Sequence, residues 1–133
     1  MKTGIFYAVG VGTEPLDLTL RAKQVLETAE VLVTPITRVG EPSAAARIAE
    51  QVVSFSGKEI IPLLFPMQKH LDYRGRLRGE LLQPVRDCLQ AGKRVAMVTL
   101  GDVSIYSTSA YVQQVLEEDG YATEVVAGIS AFS

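Results

Sequence analysis

The chain has no tryptophan, a single histidine, a single cysteine and no long apolar run, and each shortage removes a class of explanation. One cysteine excludes an internal disulfide. Cys88 lies between Val85 and Leu89 on an apolar helical stripe, the position of a small buried hydrophobe. The one histidine, His70, has no cysteine pair or carboxylate cluster at ligand spacing, so no metal site is expected, and beside Lys69 and Asp72 it reads as a solvated loop residue. With no histidine near a candidate serine or cysteine nucleophile, no hydrolytic constellation is visible. The apolar run of residues 4–12, GIFYAVGVG, is too short and too rich in glycine for a membrane span or a signal peptide. No membrane partner is expected, and the cytoplasm is the expected compartment. Thirteen basic against fifteen acidic residues leave a net charge of −2, which provides no basic field for a nucleic acid and makes a small molecule the expected ligand.

What is present describes a globular domain. At 133 residues, with 47% hydrophobic and 21% charged, the chain can bury one core. Ile5 to Val11 is a continuous apolar strand of the kind buried on both faces. Thr19 is an N-cap for a helix whose Ala22, Val25, Leu26 and Ala29 recur at helical spacing, and Val31 to Val33 restart a strand. Pro42 and Ser43 open a second helix with Ala45, Ile48, Ala49 and Val52 on its apolar face, followed by a short strand from Glu59 to Ile61. Pro62 to Gly75 reads as a long loop. A helix from Arg76 to Gln90 then carries Leu77, Leu81, Val85, Cys88 and Leu89 on one face and ends at Gly92. The strand Arg94 to Leu100, a helix from Ser107 to Asp119 with Tyr111, Val112, Val115 and Leu116 inward, Gly120 and a strand from Ala122 to Val126 complete the pattern.

Alternating strands and helices joined by short turns specify an α/β fold with a mostly parallel five-stranded sheet flanked by helices. Ligands on such sheets bind beyond the carboxyl ends of the strands, which singles out the turns at residues 10–18, 101–108 and 128–132. The final residues, Ser130 to Ser133, read as the first turn of a helix, so the expectation is that the sequence is a fragment of a longer protein.

Gly10-Val11-Gly12 offers close backbone approach, but a dinucleotide site needs a third glycine three residues on, where Pro15 stands, and Glu14 and Asp17 would repel a phosphate. Gly101 and Asp102 stand at the mouth of the sheet, followed by the polar Ser104, Tyr106, Ser107 and Thr108, and bared backbone there suits a neutral or zwitterionic ligand. Asp102 alone also reads as a helix cap or turn residue. Lys69, Arg74, Arg76 and Arg78 form a basic patch that is either a solvated face or a partner for substrate carboxylates. Chemistry that needs little protein acid or base fits this set, and transfer of an already activated methyl group is of that kind.

Gly10-Val11-Gly12 with Leu18 to Ala22, Val98 to Thr108, and Val125 to Ser133 resemble, in order, the three motifs of the tetrapyrrole methylase family, over essentially the whole chain. Gly101-Asp102 with Ser104 to Thr108, together with Phe65-Pro66-Met67, is most similar to the family branch acting at C-20 of precorrin-2. The resemblance implies S-adenosylmethionine as methyl donor and precorrin-2 or cobalt-precorrin-2 as tetrapyrrole substrate, in corrin ring biosynthesis. It implies cofactor binding by Leu100, Gly101, Asp102, Ile105, Tyr106, Ser130 and Ala131, and places Gly10, Gly12, Thr13 and Pro15 towards the tetrapyrrole. It further implies a homodimer, and a pocket between two α/β domains of which residues 1–133 are the N-terminal one, the C-terminal domain being absent from this chain. Thr13-Glu14 stands where the family usually has proline, glycine and aspartate, and Val103 where it has proline. Two other readings stay open: a methylase of the uroporphyrinogen-III or diphthine branch, and a non-catalytic ligand-binding domain.

Overall fold

Every position along the middle of the first strand is apolar, so this strand must be covered on two sides and paired on two edges. The computed structural model describes residues 4–11, 19–36, 44–64, 82–100 and 112–126, and it satisfies both demands. Strands β1 (Ile5–Val11), β2 (Val31–Ile36), β3 (Glu59–Leu64), β4 (Arg94–Leu100) and β5 (Ala122–Val126) form one sheet in the order β3-β2-β4-β1-β5. All pairings are parallel. β1 matches β4 over its full length, from Ile5 opposite Arg94 to Val11 opposite Leu100. The helices are α1 (Leu20–Thr28), α2 (Ala44–Glu50), α3 (Gln83–Gln90) and α4 (residues 112–118).

Alternation along the strands builds two cores. Phe6, Ala8, Val31, Val33, Ile61, Leu63, Val95 and Met97 pack with α3 and α4, through Val85, Cys88, Leu89, Val112, Val115 and Leu116. Val9, Leu32, Ala96, Val98 and Val126 pack on the other face with Ala22, Val25 and Leu26 of α1 and Ala49 of α2. Burial on both faces is the reason these strands read as uninterrupted apolar runs.

The helix ends show how local chemistry sets the boundaries. Thr19 caps α1, its Oγ1 accepting from the amide of Ala22 at 3.1 Å. At the other end, the Lys58 ammonium donates to the carbonyls of Glu27 (2.8 Å) and Ala29 (2.6 Å), a cation on the carbonyls that α1 leaves unpaired. α3 and α4 close alike. Gly92 and Gly120 take positive φ of 83° and 92°, and the next amides reach back to the carbonyls of Cys88 (3.1 Å) and Leu116 (3.0 Å).

Three expectations are corrected by backbone geometry. β2 runs on through Thr34, Pro35 and Ile36, because its pairing with β4 stops at Val33 and Pro35 has a ladder only towards β3. β3 continues through Pro62 to Leu64, so the irregular stretch begins after Leu64 and not at Pro62; β3 is an edge strand, where a proline is tolerated. The helix expected from Arg76 opens at Gln83, with Leu82 as N-cap and Pro84 in the first turn, where its missing amide is not needed. Residues 76–81 lie outside the described residues, as do Pro42, Ser43, Tyr111 and the expected start of the last helix at Ser107.

Gly4 marks the closest backbone approach. Its amide donates to the Leu89 carbonyl at 2.7 Å, and a Cβ built on it would stand 1.7 Å from the Lys93 carbonyl oxygen. That neighbour is backbone and cannot rotate away. Gly4→Ala should lower stability by about 3 kcal/mol in urea unfolding. Gly92→Ala, facing open space at positive φ, should lose about 1 kcal/mol in the same measurement. Equal losses would contradict the steric account.

Candidate functional site

The strand order determines where the sequence motifs meet. β4, β1 and β5 are consecutive in the sheet, with Val11 opposite Leu100 and Val9 opposite Val126, so the three turns singled out in the sequence leave from three neighbouring carboxyl ends. From β1 the chain crosses past β4 to reach β2, and from β4 it crosses past β1 to reach β5. Connections leaving two adjacent strands in opposite directions open a crevice between them, the position where doubly wound sheets bind ligands.

Of the candidate residues, two are described. Gly10 is in β1, half-buried and opposite Thr99, and Leu100 ends β4. Gly12, Thr13, Pro15, Gly101, Asp102, Ile105, Tyr106, Ser130 and Ala131 lie outside the described residues, together with His70, Lys69, Arg74, Arg76 and Arg78 and the segment Phe65-Pro66-Met67. The topology does fix where their segments begin: Gly12 follows the last residue of β1, Gly101 the last of β4, and Ser130 stands four residues after the end of β5.

The two ends of the sheet differ in charge. The last two residues of each strand are Gly10 and Val11, Pro35 and Ile36, Leu63 and Leu64, Thr99 and Leu100, and Val125 and Val126, with no ionisable side chain among them. At the amino ends, Glu30, Lys58, Glu59, Lys93 and Arg94 tie elements together: the Glu30 carboxylate accepts from the Arg94 amide at 3.3 Å, and Lys93 pairs with Glu59 at 3.6 Å. The described rim therefore offers backbone groups to a ligand that brings its own charges. It supplies no acid or base.

Sequence reasoning passed over two residues of this rim. Thr34 and Thr99 are the buried polar side chains of the described core, and both fall within the last three residues of a strand. Alternation puts Thr34 on the face of Leu32 and Thr99 on the face of Met97. The available signal was a hydroxyl near the end of a strand otherwise apolar on both faces. A depression of about 350 Å³ lined by Arg47, Glu50 and Gln51 lies on the solvent side of α2 and contains none of the candidates. Among the described residues, no group of three or more His, Cys, Asp or Glu side chains could hold a metal ion, and no helix is long and apolar enough to cross a membrane.

Residues 6–133 match the model of the tetrapyrrole (corrin/porphyrin) methylases. The chain belongs to the tetrapyrrole methylase family. Among its relatives, a Methanocaldococcus jannaschii protein named "Probable cobalt-precorrin-2 C(20)-methyltransferase" is 38% identical over 92% of this chain and 51% of that protein. The cobalt-precorrin-2 C(20)-methyltransferase of Salmonella typhimurium is 28% identical over 98% of this chain and 54% of its own length. The crystal structure of a uroporphyrin-III-C-methyltransferase from Thermus thermophilus superposes with a TM-score of 0.59 at 28% identity, over 96% of this chain and 49% of that one. The chain thus spans about half the length of the methylases it matches.

At the end of this methylase sheet remote from the rim, Cys88 is buried against the core. Its thiol donates towards the Glu59 carboxylate at 3.7 Å. Burial, and secondly the negative charge of Glu59, push the thiol above 9.0, with Lys93 opposing. The folded state favours the neutral thiol, so this contribution to stability is complete below about pH 9, where the unfolded thiol begins to ionise, and is lost as pH rises through the higher folded value. Native protein should resist iodoacetamide at about pH 8 and react on unfolding. Glu59→Gln should speed the native reaction severalfold, and an unchanged rate would show that the Glu59 charge is irrelevant to the thiol.

Proposed function

We propose that the chain is the N-terminal, cofactor-contacting domain of an S-adenosylmethionine-dependent methyltransferase that methylates C-20 of precorrin-2 or cobalt-precorrin-2 during corrin ring biosynthesis. The observation that carries the proposal is the juxtaposition at one sheet edge of the carboxyl ends of β1, β4 and β5, from which all three family motifs depart. The names of two relatives similar over more than nine-tenths of this chain support the choice of substrate, while a Pyrobaculum islandicum protein, 29% identical over 95% of this chain, is named diphthine synthase and keeps that branch as the second reading.

In this reading the segments after β4 and β5 hold the methyl donor, through Leu100, Gly101, Asp102, Ile105, Tyr106, Ser130 and Ala131, and the turn after β1 faces the tetrapyrrole with Gly10, Gly12, Thr13 and Pro15. The strand ends suit the donor, a zwitterionic amino acid with an added sulfonium charge, because they offer backbone groups, while Asp102 brings a carboxylate that can face a positive charge. The donor supplies a methyl group already activated on sulfur. The task left to the protein is to bind, to align the methyl with the nucleophilic carbon and to exclude water, for which the rigid β1–β4 frame is suited and no general base among the described residues is required. A second domain, matching the remaining length of the relatives, forms the other wall of the pocket, and the protein acts as a cytoplasmic homodimer.

The test is to incubate the complete gene product with S-adenosylmethionine and, separately, with precorrin-2, cobalt-precorrin-2 and uroporphyrinogen III. The expected result is a mass gain of one methyl group on precorrin-2 or its cobalt complex, located at C-20. Methylation of uroporphyrinogen III alone would assign the protein to another branch, and no gain on any tetrapyrrole would overturn the proposal.

A further inference from the structure

The crevice between β1 and β4 has a polar group at its base that the reading above does not use. Thr99 is only 2% exposed and stands opposite Gly10 on the α3 and α4 side of the sheet. Along that side β1 presents Phe6, Ala8 and then Gly10, residues of decreasing size towards the rim, while β4 presents Val95, Met97 and Thr99. Valine has the same shape and β-branching as threonine and would fill the position without a buried hydroxyl. The hydroxyl donates to the Val9 carbonyl at 3.4 Å, longer than the roughly 2.5–3.0 Å of a strong O–H···O bond, so it does little for stability. What the bond does is link the two strands near their carboxyl ends: Val9 lies two residues before the end of β1, and Thr99 one before the end of β4. The hydroxyl oxygen also keeps the capacity to accept a hydrogen bond.

We propose that Thr99 is a positioning residue for the methyl donor: its hydroxyl, bonded to the Val9 carbonyl, sets how the carboxyl ends of β1 and β4 stand to one another where the Gly12 and Gly101 segments begin. The proposal deepens the function inferred above and rests on it. It separates the two parts of the side chain, since the methyl group serves the core and the hydroxyl serves the site.

Thr99→Val and Thr99→Ser, made in the complete gene product, distinguish these parts. Thr99→Val should keep the thermal midpoint of the ligand-free protein and raise the Kd for S-adenosylmethionine by about fivefold (~1 kcal/mol), measured by calorimetry. Thr99→Ser should do the reverse, lowering the midpoint through the lost buried methyl and keeping the wild-type Kd. Wild-type affinity in Thr99→Val, or a serine variant as weak as the valine variant, would overturn the positioning role. Wild-type protein that does not bind S-adenosylmethionine would instead overturn the parent function, and with it this inference.

Discussion

Burial of β1 and β4 on both faces is the constraint from which the other features follow. Phe6, Val9 and the run Val95 to Val98 are wholly buried, so their backbone amides and carbonyls have no recourse to water and must pair with neighbouring strands. Parallel pairing meets that need but requires crossovers, and two exposed apolar faces require helices on each. The chain therefore lays α1 and α2 over one face and α3 and α4 over the other. Connections to both faces must depart from the central strands in opposite directions, and the crevice between β1 and β4 is the geometric result. The position at which doubly wound sheets bind ligands arises here as a by-product of covering a sheet.

Much of this is legible in the sequence because the signals are local. β1, β4 and β5 have the bounds their apolar runs imply, Thr19 caps the helix it precedes, and Gly92 and Gly120 stand at positive φ where their helices end. The misjudged boundaries are all at prolines. Pro35 and Pro62 look like strand terminators, yet each occupies a position where the lost amide matters little, and that depends on strand order, which is a tertiary property. Pro84 was passed over in the opposite sense: within an unbroken apolar periodicity it marks the first turn of α3. The candidate position was read from the sequence as three turns at the carboxyl ends of strands. That their strands are neighbours in the sheet was not, because β1 and β4 are paired across about ninety residues of chain. Thr99 was missed for a related reason, as its importance depends on facing Gly10 from a distant strand.

Among the described residues, several polar ties gather around the amino ends of the strands. Around the amino ends, Lys58 closes α1, Glu30 engages Arg94, and Gly4 is seated against the last turn of α3. Pairs such as Lys93 with Glu59 are exposed and individually weak, but the carbonyl and amide contacts around them leave little room for adjustment. The last two residues of each strand carry no ionisable side chain. The methylases to which this chain is similar are named for different substrates, cobalt-precorrin-2 and uroporphyrin-III among them.

The seating of Gly4 against the backbone of α3 acquires a wider meaning in this light. A frame clamped at one end by main-chain contacts places heavy restrictions on inheritance there, since almost any side chain at position 4 would meet the Lys93 carbonyl. Sequence change around the amino ends of the strands is therefore confined to positions other than 4, where only the residue without a side chain leaves the β1 entry and the end of α3 in register.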